Sequence, residues 1–409
     1  VVTKLSITES AVPPYYYDTD TTVVYIEKQF NVSGLEGLGL RDMPEITQAA
    51  GALLTYLYET QMSSLSQINS LKLYFSEDYM IIDASTRRNL ELTETMRDGS
   101  KRGSLLWILD KTKTAMGARM LRSFIEAPLM NIDMICARLD AIDSLNVNII
   151  SRDEMREYLS SIYDLERLMT RISMRTANPR DLLAFKSSLA YLPYIKALIN
   201  EFSGDIFKGM YQEFDTLQDI YDLLEASIDE DAPITLRDGG IFKNGYNEFI
   251  DNYRDKKLNS KNILAELEEK ERNATGIKNL RIKFNRVFGY FLEVTNSYKN
   301  MVPDYFIRKQ TLTNAERFTT DELTRLSSDI LSAEENLYGL EYDEYVKLRD
   351  RLAAETVRVQ KTASFIALTD VLASLSYVAV SNNYVRPGLN SNGTINISGG
   401  RHPVIRSEE

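Results

Sequence analysis

The sequence contains almost none of the residues that form disulfides or hold transition metals. Cys136 is its only cysteine and His402 its only histidine among 409 residues. One cysteine excludes an internal disulfide framework and is typical of a reducing compartment, which predicts a cytoplasmic location. One residue of each kind is too few for a His/Cys metal cluster. Their separation along the chain also disfavours a catalytic Cys–His pair.

The patterns of nucleotide-binding and membrane proteins are missing as well. The P-loop sequence Gly-x-x-x-x-Gly-Lys-Ser/Thr occurs nowhere, and the glycine-rich residues 33–40 lack the strand and helix of a dinucleotide loop. No uninterrupted apolar run reaches the ~18–20 residues that cross a bilayer. Carboxylates number 59, but no pair stands out as an acid–base couple. We therefore predict a segment that is not an enzyme, holds no metal or cofactor and contacts no membrane.

The pattern of apolar residues predicts several domains rich in helices. A chain of 409 residues is too long for one hydrophobic core. Residues 1–70 have an α/β pattern, in which β-branched residues mark strands at 4–8 and 22–30. Apolar residues at three- and four-residue spacing predict helices through most of residues 85–250. Trp107, surrounded by leucine and isoleucine, is interpreted as a core anchor.

The following stretch predicts a small sheet carried on two long helices. A highly charged helix at 253–275 ends at Gly276, a residue suited to the left-handed position after a helix. A capping box at Thr319 and Glu322 opens a second helix of ~35 residues, which spans ~50 Å at ~1.5 Å per residue. Between the helices, residues 281–294 alternate between apolar and polar, which places their cations on the face opposite the apolar side chains.

This predicted sheet is basic although the protein is acidic. Eight Lys and Arg against three Asp and Glu give residues 276–318 a charge of +5, whereas the whole chain carries −11. A local excess of cations favours contact with a polyanion, since neutralised phosphates release counterions. A solvated basic face and salt bridges within the protein are the alternatives. Stacking of Tyr290, Phe291 or Phe306 on single-stranded bases is disfavoured, because their apolar phase indicates packing within the sheet.

Several long motifs, in a fixed order, resemble one family. They extend over roughly residues 20 to 405 and read MIIDASTRRNLELTETM (80–96), GSLLWILDKTKTAMGARMLRSFIEAPL (103–129), DLERLMTRISMRTANPRDLLAFKSSL (164–189), FNRVFGYFLEVTNS (284–297), RKQTLTNAERF (308–318), NNYVRPGL (382–389) and GGRHPVI (399–405). In this order they resemble the MutS family of DNA mismatch-repair proteins.

The resemblance implies a mainly α fold. A bundle of long lever and core helices would join a partial α/β connector domain and would carry a small β clamp at the tip of a helical stalk. The implied domains are the connector at 1–70, lever and core helices at 71–255 and 320–395, the clamp at 256–319, and the lead into an ATPase domain at 396–409. The family's mismatch-reading domain and its ATPase domain, which binds ATP and Mg, would lie outside this chain.

The resemblance also implies which residues contact DNA. Clamp residues that match the family's backbone-contacting set, together with two further cations of the polar face, make up the predicted site: Lys278, Arg281, Lys283, Asn285, Arg286, Arg308, Lys309, Thr313, Asn314 and Arg317. Glu316 is expected to pair with a neighbouring cation. Arg87 and Arg88 are expected to form hydrogen bonds within the protein, at a joint between helices. The implied partners are double-stranded DNA, a MutL-type protein at the connector, and a second copy in the full-length homodimer.

Two functions follow from these observations. The favoured one is the middle segment of a mismatch-repair MutS protein, which binds duplex backbone through the clamp and couples conformational change through its lever helices and connector. The alternative is a MutS-like paralogue that lacks mismatch recognition and serves as a scaffold, either binding DNA junctions or holding an acidic protein at its tip. The location is cytoplasmic, associated with the nucleoid if the protein is bacterial.

Overall fold

The computed structural model describes residues 12–405, apart from positions 33, 39, 62–64, 66, 69–70, 72, 74–77 and 286. These residues are mostly helical and include one four-stranded antiparallel sheet, so the mainly α fold class is confirmed. The chain divides into a first compact unit (Val1–Ala177, Asp181–Leu223 and Arg349–Glu409) and a second one (Asn178–Arg180 and Leu224–Leu348). The finer domain boundaries stay predictions.

The α-helices of the described residues are α1 (Thr19–Phe30), α2 (Pro44–Gln61), α3 (Ala84–Asn89), α4 (Leu105–Leu109), α5 (Ala115–Glu126), α6 (Ile132–Val147), α7 (Ile149–Ser160), α8 (Leu165–Ser173), α9 (Pro179–Leu189), α10 (Leu192–Ile199), α11 (Asp205–Glu213), α12 (Gln218–Ser227), α13 (Glu248–Thr275), α14 (Asp321–Ala354) and α15 (Thr356–Asn382). The strands are β1 (Arg281–Asn285), β2 (Gly289–Thr295), β3 (Ile307–Thr311) and β4 (Ala315–Thr319).

The strand predicted at 22–30 is wrong, because these residues form helix α1. Asp18 caps the helix by accepting a hydrogen bond from the backbone N of Thr21 at 3.3 Å, and Asn31 ends it in the left-handed conformation. Thr22 and Ile26, one turn apart, are both buried, and α1 packs against α2. Helical packing thus overrides the β preference of the valines. The other predicted strand, at 4–8, lies outside the described residues.

Helix α15 is the central element of the first unit. It packs against α4, α5, α6, α7 and α8. A helix surrounded in this way is apolar on all sides. By length and composition, the stretches Thr356–Asn382 and Pro179–Ile199 are both long and apolar enough to cross a membrane. Polar residues such as Lys186 and Asp370 interrupt both stretches, so neither is the uninterrupted apolar run that the sequence lacks. Their apolar windows are 61% and 50% buried inside the protein, as in the core helices of a folded domain.

Asp370 joins α15 to the segment that leads into α5. Its fully buried carboxylate accepts hydrogen bonds from the backbone N of Lys113 (2.9 Å), the backbone N of Thr114 (2.7 Å) and the hydroxyl of Thr114 (2.8 Å). The acceptor therefore lies at the positive end of the α5 dipole. Gly117 makes this approach possible, because a Cβ there would lie 2.3 Å from Asp370 Oδ2.

Trp107 is not the core anchor that the sequence predicted. Its side chain is 37% exposed, and the ammonium of Lys111 lies 5.8 Å from the ring centroid. Helix α4 is only five residues long, and Leu106 is its buried member, packed with Leu121 and Val371. So short a helix turns one side chain fully inward and leaves the adjacent indole at the surface.

In the second unit, α13 and α14 pack on one face of the sheet. Helix α13 begins at Glu248, five positions before the predicted start, because Asn247 accepts hydrogen bonds from the first-turn amides. It ends before Gly276, whose φ is +70° as predicted. Helix α14 is capped by Thr320, whose hydroxyl accepts from the backbone N of Leu323 at 3.1 Å. The predicted cap Thr319 lies in β4, where its backbone pairs with β3.

Candidate nucleic-acid interface

The sheet has one packed face and one polar face. Its strand order is β1-β2-β4-β3, and every pair is antiparallel. Directly opposed residues share a face, so the row Ile282, Leu292 and Phe318 lies on the packed face, against Leu264 and Leu323. The alternating row Arg281, Glu293 and Arg317 lies on the other side, which we call the outer face. The predicted alternation of strand β1 is confirmed.

The centre of the outer face is already paired within the protein. Lys283 Nζ lies 2.7 Å from Glu293 Oε1, in a pair whose lysine is 51% exposed. The guanidinium of Arg317 lies 4.4 Å from the ring centroid of Phe291 and donates to Gln310 Oε1 at 2.7 Å. Arg317 thereby covers Phe291, which is only 2% exposed although it lies on this face. Phe291 therefore stabilises the sheet and offers no ring for stacking, as predicted, but it does so from the outer face and not in the apolar phase of Tyr290 and Leu292.

Glu316 gathers two cations at the β3 edge. It is buried, and its Oε1 lies 2.6 Å from Lys299 Nζ and 3.7 Å from Arg308 Nη1. The predicted pairing of Glu316 is therefore confirmed. Arg308 stands opposite Phe318, in register with the packed face, and an irregularity between Arg308 and Gln310 adds one position to β3. The structure thus separates Arg308 from the cations of the outer face.

Three predicted site residues keep an unpaired positive charge. Lys278, Arg281 and Lys309 are exposed, and within the part of the chain that the structure describes none of their side chains has a hydrogen-bond or ion-pair partner. Lys278 precedes β1, Arg281 begins it, and Lys309 occupies the extra position of β3. An exposed, unpaired cation pays no cost of breaking an internal ion pair when it meets a phosphate, so these three are the strongest candidate contacts.

The uncharged site residues divide into two kinds. Thr313 and Asn314 lie exposed in the turn between β3 and β4, where their backbone carbonyls accept hydrogen bonds from Asn296 at 3.0 and 3.2 Å. Asn285 instead closes the β1–β2 turn, because its Oδ1 accepts from the backbone N of Val287 at 2.8 Å. The predicted contact Arg286 lies outside the described residues.

Sequence reasoning left Lys299 out of the site. Its side chain is 55% exposed and shares Glu316 with Arg308. The missed signal is the short 3-10 helix Asn296–Met301, which returns the chain towards β4 and is not visible in the alternation of the strands. In the first unit, Arg87 Nη1 lies 3.6 Å from Glu126 Oε1, so the interpretation of Arg87 as a joint residue between α3 and α5 is confirmed.

The geometry defines a class: a helical protein that carries a small antiparallel sheet with cations on its outer face. A family model described as MutS domain III matches residues 85–376. The chain therefore belongs to the MutS family, as its motifs predicted.

Curated relatives agree with this family. The chain is 54% identical over 402 residues to the DNA mismatch repair protein MutS of Lachnoclostridium phytofermentans, which covers 98% of this chain and 43% of that protein. It is 45% identical over 402 residues to the protein of the same name from Alkaliphilus oremlandii, and the match covers 98% of this chain and 46% of that protein. The protein of that name from Ruminiclostridium cellulolyticum is 47% identical over 368 residues, which cover 90% of this chain and 42% of that protein. The chain thus spans less than half the length of these relatives.

Proposed function

We propose that this segment of a MutS protein binds the backbone of double-stranded DNA, without reading its sequence, through the outer face of the sheet and the exposed cations beside it. The observation that carries the proposal is the set of three exposed, unpaired cations, Lys278, Arg281 and Lys309, within a region of charge +5 on a chain of charge −11. Each phosphate they neutralise releases counterions and adds affinity. Thr313 and Asn314 supply neutral donors that position a duplex without reading its bases.

The paired cations have a secondary role in this proposal. Lys283 is 51% exposed, whereas its partner Glu293 is 22% exposed, so a phosphate that reaches the ammonium competes with a carboxylate for it. Such an exchange adds less affinity than a new contact, because one ion pair replaces another. Arg317 stays over the ring of Phe291. Because one of its N–H groups donates to Gln310, only its remaining N–H groups can donate to a phosphate.

The wider role follows from the family. Helix α14 begins directly after β4, so it is the element through which DNA held on the sheet acts on the lever helices, and α15 continues it. ATP and Mg bind in the ATPase domain of the full-length protein, a MutL-type partner meets the connector region, and two full-length copies form a ring around the duplex. Such a protein works in the cytoplasm, on the nucleoid of a bacterium.

The proposal is tested with the 409-residue chain and a fluorescent duplex of about one to two helical turns. Anisotropy is recorded over a series of salt concentrations for the chain and for the triple variant Lys278→Glu, Arg281→Glu and Lys309→Glu. We expect weaker binding and a slope of log K against log salt that is smaller by roughly 2–3, since each lost phosphate contact removes ~0.9. Matched and mismatched duplexes should bind alike.

The control is Lys208→Glu, a charge reversal in the first unit at a lysine that is 71% exposed. It should leave both the affinity and the slope unchanged. If the triple variant binds the duplex as tightly as the unaltered chain, the outer face is not the DNA interface. If the control weakens binding equally, net charge alone explains the result.

A further inference from the structure

The sequence contains two Asn-Gly pairs, Asn244–Gly245 and Asn392–Gly393. In such a pair the backbone N of the glycine can attack the side-chain amide of the asparagine, because glycine has no Cβ to hinder a close approach. All four residues are exposed. Both glycines have a positive φ, +84° at Gly245 and +73° at Gly393, and each has open space where a Cβ would lie. Exposure and glycine geometry therefore do not distinguish the pairs, and their hydrogen bonds do.

At Asn244–Gly245 the attacking nitrogen is occupied. The backbone N of Gly245 donates to Asp251 Oδ2 at 2.8 Å. This nitrogen can attack only after it has lost its proton. That loss would break a hydrogen bond to a charged acceptor and leave a negative nitrogen beside a carboxylate, and both effects raise the barrier. Asn244 Oδ1 accepts from Arg254 Nη1 at 3.1 Å, which polarises the amide, but a polarised amide without an attacking nitrogen does not react.

At Asn392–Gly393 the same nitrogen is available. The backbone N of Gly393 has no hydrogen-bond acceptor among the described parts of residues 12–405. Asn392 Oδ1 accepts two hydrogen bonds, from the backbone N of Thr394 at 3.2 Å and from the Thr394 hydroxyl at 2.7 Å. Negative charge develops on this oxygen when the amide carbon is attacked, so the two donors stabilise that step. This pair therefore combines a free nucleophile with a polarised amide.

We propose that Asn392 is a site of spontaneous deamidation, with Gly393 as the attacking residue and water as the only co-reactant. Gly393 N gives its proton to a solvent base and forms a bond to Asn392 Cγ. The side-chain nitrogen takes up a proton and leaves as ammonia, which completes a cyclic succinimide. Water then adds to either carbonyl of the ring and breaks the bond from that carbon to the ring nitrogen, which gives aspartate or isoaspartate. One water is consumed, one ammonia is released and nothing is oxidised or reduced.

Both products change the turn that Asn392 forms with Thr394. Aspartate keeps an oxygen for the two donors and adds a negative charge. Isoaspartate carries the chain through the former side chain, so it lengthens the backbone by one carbon and moves the acceptor. Arg386 pairs with α6, Arg401 donates to the backbone at the end of α15, and every residue between them is exposed. The modification therefore alters the surface of this segment and leaves the core of the first unit intact.

The test follows both pairs in one sample of the 409-residue chain. The protein is incubated at neutral to mildly alkaline pH, and aliquots are digested briefly and analysed by mass spectrometry. Deamidation is the fraction of each peptide with the mass increase that replacement of NH2 by OH produces. Asn392 should convert about 10- to 100-fold faster than Asn244, the range obtained when the hydrogen bond of Gly245 to a charged acceptor is added to the barrier. In urea the two rates should converge.

Three variants examine the two parts of the argument. Asp251→Ala frees the backbone N of Gly245 and should raise the rate at Asn244 towards that at Asn392. Thr394→Val removes the hydroxyl donor at similar volume and should slow Asn392 by about 2- to 10-fold, as expected for one neutral hydrogen bond. Ser398→Ala, an exposed change in the same segment, is the control and should alter neither rate.

Each outcome supports or overturns the proposal. A faster rate at Asn392 in the folded chain, with equal rates in urea, supports it. A rate at Asn392 that does not exceed the rate at Asn244 overturns it, and so does a product that forms at Asn392 only after unfolding. If Asp251→Ala leaves Asn244 unreactive, the free glycine nitrogen is not what selects Asn392, and the reasoning is wrong.

Discussion

Replacing Asp370 with alanine should destabilise the first unit more than any surface change. The carboxylate is fully buried and accepts hydrogen bonds from Lys113 N, Thr114 N and the Thr114 hydroxyl at 2.7–2.9 Å. Asp370→Ala leaves these three donors without their acceptor and removes the negative charge from the amino end of α5. The perturbation is confined to the junction of α15 and α5, because both partners lie in the segment that precedes α5.

The magnitude follows from the number of donors left behind. A buried donor without a partner costs ~1–3 kcal/mol, and a charged acceptor makes each bond stronger than a neutral one. Relief of the desolvation of the carboxylate offsets part of this cost. The net loss should be ~3–5 kcal/mol, comparable to that of breaking a buried ion pair. Typical unfolding free energies are ~5–15 kcal/mol, so the first unit should lose a large share of its stability.

The dependence on pH has a definite sign. Burial raises the pKa of the Asp370 carboxyl above its ordinary value of 3.8, although the amides of Lys113 and Thr114 act against this. The folded state therefore holds the proton more tightly than the unfolded state does. The stabilising contribution is complete below the unfolded pKa and falls as the pH rises through the folded pKa. The variant Asp370→Asn should accordingly gain stability relative to the unaltered chain as the pH rises above 3.8.

Trp107 provides the assay, since it is the only tryptophan of the chain. It lies in α4, directly before the segment that Asp370 holds, so its fluorescence during urea denaturation reports the unfolding of this region. Glu94→Ala removes an equal charge at an exposed position nearby and should change the free energy of unfolding by less than ~0.5 kcal/mol. A loss below ~1 kcal/mol for Asp370→Ala would refute the reasoning, because an unpaired buried donor costs at least that much.

Two further predictions concern ion pairs. Glu293→Gln frees Lys283 from its 2.7 Å pair and removes a negative charge from the outer face, so duplex binding measured by anisotropy should strengthen several-fold; weaker binding would contradict the placement of DNA on this face. Arg119 holds Asp164 through two hydrogen bonds of 2.7 and 2.9 Å and lowers the pKa of that carboxyl. Arg119→Gln should cost ~0.5–1 kcal/mol at neutral pH, since the arginine is half exposed. The difference in unfolding free energy between the variant and the unaltered chain should shrink as the pH falls below 3.8, because Asp164 stabilises the fold only while ionised. If urea denaturation gives the same difference at pH 3 and pH 7, the Arg119–Asp164 pair is not its source.

The alternation of β1 and β2 could be predicted because it is local. One face of the sheet is buried, and a period of two then fixes which side chains point inward. The run TVVYIEKQF at 22–30 could not be assigned in the same way. Its β-branched residues favour a strand, whereas Asp18, Asn31 and the contact with α2 together make it helix α1. The exposure of Trp107 could not be predicted either, because it depends on the length of its helix. That helix has only five residues and buries only Leu106, and the apolar neighbours of Trp107 in the sequence do not reveal where it ends.

The sequence predicted which basic residues make up the candidate site, but it could not predict which of them are paired with carboxylates. Counting charges located the basic region, because cations near each other in sequence stay near each other in a small sheet. The partners that occupy some of them come from other strands: Glu293 reaches Lys283, and Glu316 reaches Arg308. Such pairs depend on register, and the irregularity in β3 shifts the register between Arg308 and Gln310 by one position. Only the folded sheet shows which cations remain available.

The position of the cations on the strands has a consequence beyond ligand binding. β1 and β3 are the two edges of the sheet, and an open edge offers unpaired amides and carbonyls to any other extended chain. Arg281 and Lys283 lie on one edge, and Arg308 and Lys309 on the other. Positive side chains on both edges repel the edges of a second copy, so these cations oppose the joining of two sheets edge to edge.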